Sequence, residues 1–270
     1  MSGRKAIFLD IDGTLIAGDR GPFKDDLEAM EEAAGKGHFL FLNTGRSFAN
    51  IPAAMLELSA VKGIAAGGGA HVLLAGTSGR NLHKAIHPRY KTIYHRWFPE
   101  KLLVKIFTWY GNQSRCCILE GEQGFYIINH SSRLYTTKAP VPVSSLDEFK
   151  RKSSGDLITK LTLDDHVSEE EQLLLEPFVE VTRFTDYSEG IIKGENKAKA
   201  MKIIFDNLKI RQEDSIAIGD SANDMDMIRF AGLGIAMGNA CAELRSAAGA
   251  ITEDCGKGGV ARALRKFILS

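Results

Sequence analysis

The chain has 270 residues, enough for one large domain or two at about 100–200 residues each. Apolar residues make up 44% and charged residues 25%, and 34 basic against 34 acidic residues leave no net charge, so the electrostatic argument for nucleic acid or an acidic membrane surface as a partner falls away. Cys116, Cys117, Cys241 and Cys255 form no CxxC pair and no run reaches about 18 apolar residues, so a disulfide framework, a zinc finger and a membrane span are not expected.

In chain order, Lys5–Asp10 is a short apolar run ending in an acid and reads as a buried strand. Asp25–Lys36 places Leu27, Met30, Ala33 and Ala34 on one helical face. His38–Leu42 is a second buried strand, Ser47 is a candidate cap for a helix over Phe48–Leu58, and Gly63–Ala66 is a third strand. This β-α-β-α-β order predicts an α/β fold built on a doubly wound parallel sheet. From Leu82 to Asp186 the alternation stops. A hairpin is expected at Arg115–Leu119 and Phe125–Asn129, strands at Leu157–Leu163 and Val179–Phe184, and helices at Lys101–Tyr110 and Ser168–Phe178. The first pattern returns with an amphipathic helix at Asn196–Leu208, a strand at Ser215–Gly219, a helix at Ala222–Phe230, a short strand at Gly234–Met237 and helices at Ala240–Ala247 and Gly258–Phe267. The expected organisation is a core of residues 1–81 and 187–270 with an inserted α+β domain over 82–186. Crossings near Gly79–Asn81 and Tyr187–Gly190 would serve as hinges.

Ligands of open α/β sheets bind beyond the carboxyl ends of the strands. Here those ends carry Asp10 and Asp12, then Thr44, Gly45 and Arg46, then Asp220, Asn223 and Asp224. Singly, Asp12 reads as a turn residue and Asp220 as a helix cap. Converging acids repel one another, and a hard cation such as Mg²⁺ relieves that conflict. Lys197 shares the apolar face of Met201, Ile204, Phe205 and Leu208 and points inward, unlike Lys199. Cation, hydroxyl and backbone amides together suit a phosphate. Arg46 is open between a substrate contact and an ion pair. Lys160 reads as part of a solvated face, with contact to substrate as the alternative, and the scattered His71, His83, His87, His95, His130 and His166 read as surface or core residues.

The runs Asp10-Ile11-Asp12-Gly13-Thr14-Leu15, Thr44-Gly45-Arg46, Lys197 and Gly219-Asp220-Ser221-Ala222-Asn223-Asp224 resemble the four motifs of the haloacid dehalogenase (HAD) superfamily. Their order is similar to that of its Cof-type branch, as is Ala236-Met237-Gly238-Asn239-Ala240. Gly67-Gly68-Gly69-Ala70 departs from that branch, placing Gly68 where an Asn often stands. The resemblance implies Asp10 as nucleophile and Asp12 as acid and base. It implies Mg²⁺ on Asp10, Asp12 and Asp220 with Asp224 or Asn223 in support, and phosphate on Thr44, Gly45, Lys197 and Asn223. The expected activity is phosphomonoester hydrolysis of a small phosphorylated metabolite in the cytoplasm, with neither nucleic acid nor membrane as partner. A phosphotransferase or phosphomutase with the same nucleophile, and a phosphoacceptor module without turnover, are the alternatives. Asp12, Lys197 and the Asp220 turn speak against the last.

Overall fold

The computed structural model describes residues 3–18, 20–76, 87–130 and 139–270. The expected crossing at 79–81, the boundary at residue 82 and His83 lie outside the described residues. The strands are β1 (Ala6–Leu9), β2 (Phe39–Asn43), β3 (Val61–Ala66), β4 (His71–Ala75) and β5 (Tyr90–His95), then β6 (Cys117–Glu120), β7 (Phe125–Ile128), β8 (Val141–Pro142), β9 (Lys160–Leu163), β10 (Val179–Arg183) and β11 (Ser188–Ile192), and finally β12 (Ser215–Gly219), β13 (Leu233–Ala236) and β14 (Ala250–Ile251). The chain divides into two units, one of Met1–Gly45, Ala54–Tyr94 and Asn196–Ser270, the other of Arg46–Ala53 and His95–Glu195.

The first unit holds an eight-stranded sheet in the order β14-β13-β12-β1-β2-β3-β4-β5. From β14 to β3 every pairing is parallel, and β4 turns back antiparallel on β3. This is the expected α/β sheet with an added antiparallel margin. Strand alternation sends Ala6, Phe8, Phe41, Ala65 and Ala217 into one apolar cluster with Met201, Ile204 and Phe205 of helix Lys197–Leu208 and Met227 and Ile228 of helix Met225–Phe230. The Phe8 and Phe41 rings stack at 4.8 Å. Ile7, Leu9, Leu40 and Leu42 alternate to the other face and are also fully buried, as a sheet covered on both sides requires. Helices Lys24–Gly35 and Gly259–Leu264 are joined where the Ala261 amide donates to buried Asp26 Oδ1 at 2.7 Å.

The second unit holds a six-stranded sheet in the order β10-β11-β9-β6-β7-β8. It is antiparallel except for the β7/β8 pair. Helix Glu169–Leu175 starts in a capping box of Ser168 and Glu171, and Ser145 caps helix Leu146–Ser153 by accepting from the Glu148 amide. Helix Glu100–Tyr110 joins them through the Phe107–Phe149 ring contact and the Tyr110 hydroxyl on Glu171 Oε1 at 2.8 Å. The turn between β6 and β7 wraps a buried carboxylate: Asp156 accepts from the amides of Glu122, Gln123 and Gly124 and from the Tyr126 hydroxyl.

Three expectations shift. The insertion runs to Glu195 rather than residue 186, because β11 pairs with both β9 and β10; Tyr187–Gly190 therefore enters a strand and is no hinge. Its main segment starts at His95, since β5 prolongs the first sheet past residue 82. The helix expected over Phe48–Leu58 breaks into a 3₁₀ turn at Phe48–Asn50 and one helical turn at Ala53–Leu56, because Pro52 between them has no amide hydrogen to donate. Helix Leu146–Ser153 and strands β5, β8 and β11 were not expected from the sequence.

Replacing Asp156 with Ala leaves three turn amides and a phenol without their acceptor. We expect a loss of about 3 kcal/mol or more, read as a lower urea midpoint, with the first unit's sheet unaffected in amide exchange.

Candidate functional site

The site begins at the carboxyl end of β1. The Asp10 amide continues the ladder onto the Ile218 carbonyl of β12 at 3.0 Å, so Asp10 leaves the sheet beside the segment that follows β12. The chain then turns at once: the Gly13 amide donates to the Ile16 carbonyl at 2.8 Å, and Gly13 sits at φ +77°. A Cβ at Gly13 would fall 2.1 Å from Asp220 Oδ2, so only glycine lets this turn approach Asp220. Thr14, fully buried, donates its hydroxyl to Asp220 Oδ1 at 3.3 Å.

Lys197 opens its helix and is buried with Met201, Ile204 and Phe205, as its place on the apolar face predicts. Its Nζ donates to Asp10 Oδ1 at 2.6 Å, Asp224 Oδ1 at 2.5 Å and Asn223 Oδ1 at 3.1 Å. The Lys197 side chain is 2% exposed and those of Asp10 and Asp224 are 5% and 0% exposed. The rivals behave differently: Lys193 is exposed and bonds the Glu176 carbonyl, and Lys199 lies over the Tyr94 ring. The second oxygen of Asp224 accepts from the amides of Asp220 at 2.9 Å and Ser221 at 3.0 Å, which folds the β12 exit into a tight turn. Asn223 is exposed at the rim and accepts from the Ser221 hydroxyl as well as from Lys197.

The second strand end arrives beside these groups. The Thr44 amide donates to Ala65 and its carbonyl accepts from Gly68. A Cβ on Gly45 would stand 3.5 Å from Asn223 Nδ2. Gly67, Gly68 and Gly69 all take positive φ. A Cβ on Gly69 would come within 2.2 Å of the Asn196 carbonyl oxygen, just before Lys197. Asp12 is exposed on the rim. Arg46 belongs to the second unit, where Nη1 donates to the Asn50 carbonyl at 2.9 Å.

Oxygens of Asp10, Asp220 and Asp224 lie within 4.8 Å of one another around one ammonium. Burial pushes the Asp10 carboxyl well above its usual range, with Asp224 adding to the rise and Lys197 opposing it. Burial, again helped by Asp224, lifts Asp220 to about 6. Burial acts to lower the Lys197 pKa, but Asp10 and Asp224 outweigh it and hold the ammonium above its ordinary value. With three acids against one base, full ionisation of this oxygen-rich centre needs further positive charge, and its donor set is one that a hard divalent cation takes.

Two residues were missed in the sequence. Asn43, fully buried, donates to the Lys197 carbonyl at 3.0 Å and fixes the start of that helix. Asn239 donates to the Gly13 carbonyl at 2.9 Å and accepts from the Cys255 amide at 2.7 Å, tying the first turn to the C-terminal segment. A polar residue ending an apolar strand was the only signal for Asn43.

The model of the haloacid dehalogenase-like hydrolase family matches residues 7–264. The chain belongs to this family. The hydrolase is 27% identical to the 5-amino-6-(5-phospho-D-ribitylamino)uracil phosphatase YitU of Bacillus subtilis, over 97% of this chain and 96% of the relative. It is 23% identical to the phosphatase YwpJ of the same organism, over 98% and 100% of the two chains. Among solved structures, a HAD subclass IIB sugar phosphatase shares the fold with a TM-score of 0.77 at 24% identity, covering 97% of this chain and 98% of that one. The chain is a phosphatase of the family.

Replacing Lys197 with Met leaves Asp10 and Asp224 as adjacent buried carboxylates. We expect a loss of about 3–5 kcal/mol at neutral pH. Without the ammonium the folded-state pKa of Asp10 rises further above its unfolded value. Stability from such a group is complete at low pH and is lost as pH rises through the folded value. In chelator, the variant should therefore melt at a higher temperature at pH 5 than at pH 8. Lys193→Ala and Lys199→Ala should melt like the parent in thermal scans.

Proposed function

We propose that the chain is a Mg²⁺-dependent phosphomonoester hydrolase that works through an aspartyl-phosphate on Asp10. The observation that carries this reading is the Lys197 ammonium held between Asp10 and Asp224 at the edge of the sheet, with Asp220 beside them. Asp10, Asp220 and the Asp12 carbonyl would hold the ion, with Asp224 behind them fixing Lys197 and the Asp220 turn. When bound, the ion supplies positive charge that offsets repulsion between a carboxylate and a phosphate dianion.

In the first half-reaction an Asp10 oxygen forms a bond to phosphorus as the bond from phosphorus to the substrate oxygen breaks. Asp12, in its acid form, gives a proton to that leaving oxygen. In the second, Asp12 as carboxylate takes a proton from water. The water oxygen bonds to phosphorus, the acyl-phosphate bond breaks, and Asp10 and inorganic phosphate are released. The exposure of Asp12 at the rim suits contact with both leaving group and water. Lys197, the Thr44 hydroxyl and the Gly45 amide hold the phosphoryl oxygens, and Asn223 supports them. The substrate is a small phosphorylated metabolite: a sugar phosphate, a nucleotide or a cofactor phosphate. The named activity of YitU and the sugar phosphatase fold neighbour support that range. Free cysteines at four positions suit a reducing compartment, and among the described residues no helix is long and apolar enough to cross a membrane; we place the enzyme in the cytoplasm.

Phosphate release from p-nitrophenyl phosphate should stop in EDTA and return with Mg²⁺; full activity in metal-free protein would sink the metal assignment. Asp10→Asn should lower turnover by about 10⁴-fold or more, as loss of a nucleophile does. Asp12→Asn should lower it by about 10²–10⁴-fold. Acid quench with radiolabelled substrate should then trap the phosphoenzyme in Asp12→Asn and none in Asp10→Asn.

A further inference from the structure

The turn Thr44–Gly45 is fixed on its N-terminal side by the sheet, where the Thr44 amide bonds Ala65. On its C-terminal side the chain passes at Arg46 into the second unit and stays there to Ala53. Within that unit the segment is seated on the end of β6. The Ala49 amide donates to the Gly121 carbonyl at 3.4 Å, and Ala49 packs with Cys116, Ile118, Phe125 and Ile127.

Ser47 makes the decisive contact. It occupies the N-cap of the Phe48–Asn50 turn, yet its side chain accepts no capping bond. Its hydroxyl instead donates to Glu120 Oε2 at 2.9 Å, and Ser47 is fully buried. A desolvated carboxylate is a strong, charge-assisted acceptor for that hydroxyl. Glu120 is 4% exposed. Its other oxygen accepts from the Thr162 hydroxyl at 2.7 Å and faces Lys160 Nζ at 3.7 Å. Lys160 in turn bonds Glu189 at 2.6 Å, so the carboxylate belongs to a closed charge network rather than to the solvent. Lys160, which reads in the sequence as a solvated face, is one of its buried members.

We propose that Glu120 is a positioning residue for the phosphoryl-binding turn: through Ser47 it anchors the chain three residues after Thr44, so that the Thr44 hydroxyl and Gly45 amide meet the phosphoryl group in a fixed geometry. This rests on the phosphatase mechanism above, in which those two groups hold phosphoryl oxygens. Catalytic geometry tolerates little looseness, and misplacement by about 1 Å costs up to about 10²-fold.

The test compares Ser47→Ala, Glu120→Ala, Glu120→Gln and Thr162→Val in the full chain. It reads kcat and KM on p-nitrophenyl phosphate and amide exchange over residues 46–51. Ser47→Ala and Glu120→Ala should each lower kcat about tenfold with little change in KM, and the double variant should be no worse than the weaker single one. Glu120→Gln, whose amide oxygen still accepts from Ser47, should recover most of kcat. Thr162→Val, which leaves the Ser47 bond, should stay near the parent. Exchange at Ala49, Asn50 and Ile51 should quicken only where kcat falls. Should Glu120→Ala not fold, Ser47→Ala carries the same comparison alone. Parental kcat in folded Ser47→Ala, or equal losses in Ser47→Ala and Thr162→Val, overturns the proposal. Asp10→Asn run alongside separates the two readings. Turnover surviving in it removes the phosphatase mechanism, and with it the role for Glu120. Turnover lost in it beside unchanged Ser47→Ala kinetics removes Glu120 alone.

Discussion

One ammonium group organises the first unit. Lys197 stands between Asp10 and Asp224, with all three nearly out of solvent. Two ionised carboxylates are costly to bury side by side without a counter-charge, and so is a charged lysine without partners. Each of the three therefore depends on the others, and the surrounding backbone serves to bring them into register. Asn43 holds the first carbonyl of the Lys197 helix, the glycine run 67–69 lets the chain pass against Asn196, and the Asp220–Ser221 amides lock Asp224. The pull of Lys197 on Asp10 works against burial, so the nucleophilic role proposed for Asp10 depends on positive charge supplied nearby.

Much of this was legible in the residues. Lys197 announced itself by phase: Met201, Ile204 and Phe205 mark a buried face, and a lysine on that face at a helix start has to find an acid. Asp10, Thr44 and Asp220 were legible because parallel strands end together. What stayed hidden depended on contacts between distant positions. Nothing local distinguishes Asn43 or Asn239 from any polar residue near a turn, since their partners lie far along the chain. Ser47 was misread for the same reason. It does stand at an N-cap, but its side chain accepts no capping bond, its hydroxyl donates to Glu120, and the expected helix is interrupted by Pro52. The end of the inserted unit was misplaced because Gly190 and its neighbours look like a linker. Pairing on both sides, which sequence does not display, makes them a strand between β9 and β10.

The two units also differ in how they handle buried charge. In the first, the acids cluster and exceed the bases, leaving a site with a demand for cations. In the second, three buried charges close on themselves: Asp156 is satisfied by a turn, Glu171 by Tyr110 and Arg115, and Lys160 by Glu120 and Glu189. A closed network rigidifies a scaffold, whereas an open one invites a ligand.

The position of β1 bears on how the protein is made. It lies between β2 and β12, and the partner of Asp10 comes 187 residues later in the chain. On the ribosome, the first strand emerges long before either its second neighbour or the lysine that makes burial of Asp10 tolerable. The long segment 95–195, whose sheet pairs almost wholly with itself, is complete by then and can fold on its own schedule. Closure of the Asp10–Lys197 cluster is thus a late event in biosynthesis, and until it occurs β1 exposes an unpaired edge. That interval is when the nascent chain most needs protection from aggregation.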